Sequence, residues 1–224
     1  MDANGQAAGT KRRLVTAASG LFAAHGFHGT TIRDIAARAA VNVAAGNYHY
    51  GSKKALYLEV LREQFAGIRA RLRAGGAEWS SGELARLGRA ELERRLRARV
   101  KIMLDLLIGP PPGLHGTLMQ REMCDPSEAL PVIVTEFIAP MMSEMGEIVV
   151  RLVPGASRKA VERCVFSIIG QALYYRFTMP ATLTLLGIEE YPRGYARELA
   201  EHITEFSLGG LAQVSRDGRR RRAR

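Results

Sequence analysis

Apolar positions recur along most of this chain at the spacing of an α-helix. Leu14, Ala17, Ala18, Leu21 and Phe22 fall at i, i+3, i+4, i+7 and i+8, which places them on one helical stripe. Gly26 ends that helix, because glycine takes φ > 0 past a helix terminus without a steric penalty. Thr31, with Asp34 three residues on, forms a capping box that opens a short helix reaching Ala39. Asn42 caps a second short helix, Val43 to Tyr50, and Gly51-Ser52 ends it. Ser52 caps a longer helix whose stripe is Leu56, Val60, Leu61, Phe65 and Ile68. Gly75-Gly76 is the first clear break, so a domain border is expected at residues 68–80, within or just after that helix.

The second half reads the same way. Residues 83–108 form a charged helix with an apolar face at Leu92, Leu96, Val100, Met103 and Leu107. The run Gly109-Pro110-Pro111-Pro112-Gly113 is a loop. Asp125-Pro126-Ser127-Glu128 carries an N-cap, a proline at the first helical position and an acid two residues on, and predicts a helix start. Pro131 and Pro140 then break or kink that helix. Pro154-Gly155 separates it from a helix over 158–179, stopped by Pro180, and a last helix spans 193–211, stopped at Gly209-Gly210. No segment alternates with period two. The fold class expected is all-α: an N-terminal three-helix helix-turn-helix domain over 8–68, with the motif at 31–50, a larger helical domain over 69–213, and a basic disordered tail over 214–224.

Composition narrows the class. The chain has 224 residues and is 47% hydrophobic, enough for packed cores. Its two cysteines, Cys124 and Cys164, are too few for a disulfide scaffold and lack zinc-finger spacing. Met1 to Thr10 shows no secretory apolar region, and the longest apolar stretches are interrupted by Asp105, Arg163 and Arg176, so no membrane span and a cytoplasmic location are expected. The net charge of +10 divides between two places: residues 8–68 carry a net +5, residues 216–224 another +5, and the remainder sums to zero. Basic ends on a neutral middle suit polyanion binding beside a separate core. A run of arginines is also consistent with a merely solvated tail.

The helix pair 32–39 and 43–50, joined by Ala40-Val41-Asn42, has the proportions of a helix-turn-helix. A recognition helix must enter a major groove about 12 Å wide, and Val43, Ala44 and Ala45 at its start are small enough. Asn47, Tyr48, His49 and Lys53 supply donors for phosphates and bases, and Arg33 has the fork to read a guanine edge. The string Gly26-Phe27-x-Gly29-Thr30-Thr31-Ile32-Arg33-Asp34-Ile35-Ala36, followed by Val41-Asn42, Asn47-Tyr48-His49-Tyr50-Gly51-Ser52-Lys53 and Leu56, resembles the DNA-binding domain of the TetR family of transcriptional repressors. The later stretch Arg121-Glu122-Met123-x-Asp125-Pro126-Ser127 is similar to the CecR-like regulators within it. The family usually has glycine where Ala40 stands, so this turn must accommodate a Cβ. It usually has an apolar residue and then tyrosine where Gly46 and Asn47 stand, which moves the phosphate-binding role to Tyr48 and His49. Thr30 and Thr31, inside the matching string, join the expected DNA-binding set.

The resemblance implies a homodimer on a palindromic operator in double-stranded DNA, released when a small apolar or aromatic effector fills the C-terminal domain. Two-fold symmetry doubles the contacts of one module. The helices at 158–179 and 193–211 are the expected dimer seam, through Val161, Val165, Ile168 and Ala172 on one and Ala196, Leu199, Ile203 and Phe206 on the other. Met103, Leu107, His115, Met119, Cys124, Phe137, Phe166, Gln171, Tyr174 and Tyr175 are the expected pocket lining, apolar with a few polar groups. His115, Met119, Met123 and Cys124 also offer soft ligand atoms, but without paired ligand spacing, so no metal and no cofactor are expected. With no phosphate loop, nucleophile elbow or zinc motif, an enzyme is not expected. The competing readings are a non-specific nucleoid-type nucleic-acid binder, suggested by the arginine tail, and an activator of the same fold.

Overall fold

The computed structural model describes residues 3–77, 81–109 and 114–222, with side chains described throughout these ranges except at 3–5, 45–48, 81, 114, 115, 219, 221 and 222. Among the described residues the regular structure is helical throughout, as the 3.6-residue periodicity predicts. In chain order the helices are α1 (Ala3–His25), α2 (Ile32–Arg38), α3 (Val43–Tyr50), α4 (Lys53–Ala74), α5 (Ser81–Leu84) and α6 (Arg89–Ile108). They continue with α7 (Leu114–Cys124), α8 (Leu130–Ile133), α9 (Ala139–Leu152), α10 (Arg158–Phe177), α11 (Met179–Leu186) and α12 (Tyr195–Arg222). A π-helical turn, Val134–Ile138, joins α8 to α9.

The chain forms two compact units, Met1–Gly67 with Leu114–Glu136, and Ile68–Gly113 with Phe137–Arg224. The two successive blocks expected from sequence are therefore interleaved: the segment around α7 groups with the N-terminal helices. In the first unit Leu14, Ala18 and Phe22 of α1 bury with Ile35 and Ala36 of α2 and Leu56, Tyr57, Val60 and Leu61 of α4. In the second, Leu92, Leu96, Val100, Leu104 and Leu107 form the inner face of α6, which packs on α9, α10 and α12. Each such side chain contributes roughly 1.5–3 kcal/mol by leaving water. Arg99, also on α6, is buried and bonds Glu144 of α9, so that charge is paired.

Three expectations are corrected. Asp125-Pro126-Ser127-Glu128 does not open a helix. The Ser127 amide and hydroxyl donate to Glu122 Oε1 at 2.9 and 3.0 Å, which holds these residues in a turn, and helix resumes only at Leu130. The prolines do distort the helix beyond this turn: Pro140 has no N–H to give, and the turn preceding it widens to π geometry. Of the tail expected over 214–224, residues 214–222 are helical. α12 passes through Gly209-Gly210 and continues to Arg222. Each helical glycine costs about 1 kcal/mol relative to alanine, but Leu211 and Ser215 are buried, and packing overrides propensity. Gly218 lies so close to the turn after α9 that a Cβ there would stand 2.9 Å from the carbonyl carbon of Gly155.

Candidate nucleic-acid interface

The helix-turn-helix is set by its caps. The Thr31 hydroxyl accepts from the Asp34 amide at 3.2 Å, and Asp34 Oδ2 accepts from the Thr31 amide at 3.0 Å and its hydroxyl at 2.6 Å. Those bonds hold the exposed Asp34 carboxyl below its ordinary pKa, the Thr31 hydroxyl contributing most. Past α2, Ala40 takes φ +52°, the left-handed region, and the Val41 amide donates to Ala36 O at 3.0 Å. A Cβ in that region costs about 1–2 kcal/mol, which the turn absorbs because α2 and α3 pack on each other and on α1. Asn42 Oδ1 accepts from the Ala44 amide at 3.0 Å and starts α3. Val43 and Ala44 are exposed at that start, Arg33 is exposed on α2, and His49 is half-buried at the end of α3. The side chains of Ala45, Asn47 and Tyr48 lie outside the described residues. Lys11, Arg12 and Arg13 are exposed on α1.

Two members of the expected DNA-binding set make bonds within the fold. Thr30 is buried, and its hydroxyl donates to Gly26 O at 2.8 Å. Lys53 Nζ donates to Phe27 O at 2.9 Å and Thr30 O at 3.1 Å and sits 4.2 Å above the Phe27 ring. Both pin the loop between α1 and α2, and with it the angle at which α2 begins. Gly26 (φ +73°) makes the turn out of α1. Thr31 remains at the surface as the cap of α2.

α7 ties this unit together through contacts far apart in sequence. Arg121 Nε donates to Ala23 O at 2.7 Å and its terminal nitrogen to Ala24 O at 2.6 Å. A guanidinium thus caps the last carbonyls of α1, where the helix dipole favours a cation. The neighbouring Glu122 is buried, and its Oε2 accepts from the Tyr57 hydroxyl at 3.0 Å. Tyr57 packs edge-on to Phe22 at 4.8 Å between ring centres. Burial, then the Glu122 charge, raises the Tyr57 phenol well above its ordinary pKa. His28 Nε2 also lies 3.3 Å from Pro126 O. The adjacent, oppositely charged pair Arg121-Glu122 was visible in sequence, but partners at such sequence separations have no periodicity to reveal them.

The expected pocket residues divide between the two units. Met119 and Cys124 belong to the first unit, and Cys124 is exposed. In the second unit Leu107 and Phe137 are buried, and Met103 and Tyr175 are partly buried. Phe166 is 65% exposed and Tyr174 52%, on the outer face of α10. Gln171 lines an open groove of about 430 Å³ between α10 and α12, bonding Ser207 Oγ at 3.2 Å. The Cys164 thiol in that groove is raised in pKa by burial. His115 lies outside the described side chains. The expected seam faces are corrected too: Val161, Val165, Ile168, Ala172, Leu199 and Ile203 are buried within the single chain. Phe206, 68% exposed, is the member of that set that faces outward.

Comparison with known proteins agrees with this arrangement. Residues 92–211 match the C-terminal domain of the HTH-type transcriptional dual regulator CecR, and residues 14–60 match the bacterial regulatory proteins of the tetR family. The HTH-type transcriptional dual regulator CecR of Shigella flexneri is 26% identical over 211 residues, spanning 92% of this chain and 94% of that one. Among solved structures, a TetR-like transcriptional regulator from Rhodococcus sp. RHA1 superposes with a TM-score of 0.62 at 17% identity, covering 90% of this chain and 96% of that one. SCO4454, a TetR-family transcriptional regulator from Streptomyces coelicolor, gives 0.59 at 19% identity, covering 94% and 96%. These structural likenesses establish the shared fold.

The Tyr57–Glu122 contact makes a prediction about alkaline stability. The unfolded chain ionises Tyr57 at the ordinary value of 10.0, whereas the folded chain resists ionisation beside Glu122. The contribution is complete below the unfolded value and is lost as pH rises above it toward the raised folded one. Tyr57→Phe should cost about 1 kcal/mol at neutral pH through the lost hydrogen bond. Between roughly pH 9 and 11 the wild type should lose stability more steeply than the variant in urea titrations. Parallel losses would sink the argument.

Proposed function

The chain belongs to the TetR family of bacterial transcriptional regulators, with a C-terminal domain of the CecR type, and from that premise we propose a homodimeric repressor that leaves a palindromic operator when a small apolar effector binds. The observation that carries the reading is the start of α3: capped by Asn42, it exposes Val43 and Ala44, with no side chain larger than valine to hold the backbone off a base edge. Arg33, Val43, Ala44, Ala45, Asn47, Tyr48 and His49 are assigned to DNA, with Thr31 as the cap that orients them. Thr30 and Lys53 support them from behind. Repression is the sign proposed, because a dimer covering an operator excludes polymerase. The reading assigns no catalytic residue. No helix among the described residues is long and apolar enough to cross a membrane.

The homodimer reading rests on an outward face that one chain leaves uncovered. Phe166 and Tyr174 are eight residues apart on α10, two turns along one stripe, and Phe206 is exposed on α12. Beside them Gly170, Gly209 and Gly210 have open space where a Cβ would be. A second copy related by a two-fold axis covers all of it. The release reading rests on connectivity. Residues 114–136 join the second unit at both ends yet cap α1 and hold Tyr57. A rearrangement of the second unit therefore pulls on the helices that frame the DNA-binding motif. Met103, Leu107, Phe137 and Tyr175 supply the apolar and aromatic chemistry of an effector site there.

Duplexes selected by the protein from a random pool should contain an inverted repeat with half-sites one turn, about 34–36 Å, or a multiple of it, apart. Arg33→Ala should relax preference at one position per half-site and cost about 1–3 kcal/mol. Recovery of unrelated sequences would remove the operator reading.

Phe206→Glu should give a folded monomer by sedimentation, since the side chain is already in water in the single chain, with operator affinity reduced by orders of magnitude. A dimer that survives this change places the interface elsewhere.

If an effector weakens operator binding through a coupling of about 1–3 kcal/mol, operator DNA must weaken effector binding by the same factor. Titration of an inducing compound with and without operator checks this, and equal affinities would exclude release.

A further inference from the structure

We propose that the end of α12 and the first turns of α10 form a second, sequence-independent site for the phosphate backbone of duplex DNA, distinct from the helix-turn-helix. The proposal requires only that the protein meets DNA; it does not depend on the operator or effector readings.

The sequence places arginine at each of 219–222, and α12 is helical through Arg222. The backbone of these residues therefore continues one helix. Gly218 fixes where that element ends, since its backbone rests against Gly155 and Ala156, in the turn that leads directly into α10. Arg158, Lys159 and Arg163 of α10 are exposed there, and Arg163 shares a groove with Val214 of α12. Arg216 and Arg220, one turn apart, are exposed on α12. Residues 151–163 and 213–224 together hold ten basic and two acidic side chains. One of the acids, Glu162, accepts from Arg158 at 2.9 Å, and the other, Asp217, accepts from Gln213 at 3.2 Å. The field here is thus strongly and locally positive, although residues 69–150 and 164–212 together hold 14 basic and 16 acidic side chains.

A helix C-terminus is satisfied by one or two cations in its last turn. Four successive arginines exceed that need, and successive positions are distributed around a helix axis, so no single protein face would pair them all. The guanidinium fork suits phosphate oxygens. An anionic bilayer is the poorer match, because an interfacial helix needs an apolar face to insert and residues 215–222 contain no large apolar side chain. A phosphodiester chain needs only positive charge spaced along a rigid rod. Such a site would hold the regulator near DNA irrespective of sequence, or engage a second duplex segment while the recognition helices hold the first.

The test compares the full chain with a variant carrying Arg219→Ser, Arg220→Ser, Arg221→Ser and Arg222→Ser, and with the matching four-lysine variant. The probe is a random-sequence duplex of about 30 base pairs titrated between roughly 50 and 200 mM salt. The serine variant should bind at least about tenfold more weakly at the low-salt end, with a log–log slope smaller in magnitude by about 3. The lysine variant should keep the slope. An unchanged slope in the serine variant overturns the site, as does an equal loss in the lysine variant. So does a larger loss on phosphatidylserine vesicles than on DNA, which would reassign the patch to membranes. Val43→Glu, in the recognition helix, should abolish sequence selection from a random pool, and the four-serine change made in that background should still lower the random-duplex slope by about 3. If Val43→Glu removes all duplex binding and the serine variant changes nothing, the second site is wrong while the helix-turn-helix reading stands. If Val43→Glu leaves selection intact, the helix-turn-helix reading fails and the salt slope still decides the second site.

Discussion

The Glu122 side chain is almost entirely withdrawn from water, and a carboxylate in that position persists only when donors replace its hydration. Its donors are the Tyr57 hydroxyl and the amide and hydroxyl of Ser127. Removing any of them leaves a buried charge under-solvated, so α4, α7 and the turn after α7 must come together or not at all. Tyr57 brings Phe22 and Phe27 with it, and Phe27 brings Lys53 over its ring. The loop between α1 and α2 is then fixed, and so is the entry of α2. A DNA-binding motif near the N-terminus thereby depends on two consecutive residues of α7, Arg121 outside on the α1 carbonyls and Glu122 inside.

What could be read from the sequence was what is local. The Thr31–Asp34 box, the Asn42 cap and the turn at Gly26 each involve residues within four positions of one another, and each is present with the expected bonds. The tolerance of Ala40 for a position that asks for glycine is likewise realised as a left-handed residue. Lys53 reads as a DNA contact because polar side chains beside a helix-turn-helix offer donors, and Thr30 because it lies inside the family-like string. Whether such a donor is already satisfied depends on a fold-back that spacing does not encode. Ser127 illustrates the same limit: its neighbours spell a helix start, but Glu122 takes its amide and hydroxyl first.

The helix faces teach a different lesson. Periodicity in α10 selects Val161, Val165, Ile168 and Ala172, and in α12 it selects Leu199 and Ile203, correctly as the most apolar stripe. In a helix that is apolar on two sides, the richer stripe belongs to the intrachain core, here against α6. The remaining face, Phe166 and Tyr174 with glycine between them, has too few large apolar residues to dominate a periodicity, yet it is the one left in water. The glycines that read as a stop in α12 fall on open surface, and the buried Leu211 and Ser215 beyond them carry the helix through.

The weakest part of the first unit is the part assigned to read DNA. α3 is eight residues long, contains Gly46 and is entered through a left-handed alanine. Glycine within a helix costs about 1 kcal/mol and the alanine about 1–2 kcal/mol. The Asn42 cap returns only part of that, typically about 1 kcal/mol. Local stability at the recognition helix is therefore low by construction, whereas Tyr57, Glu122 and Arg121 make its frame rigid. Segments that engage ligands are drawn from the low-stability end of a structure, and a helix that firms against a major groove draws its ordering cost from the contacts it makes. Such a module binds modestly on its own. In the proposed dimer, two of them paired across a symmetry axis, with the proposed charge contacts that do not read sequence, would raise total affinity without demanding a stiffer α3.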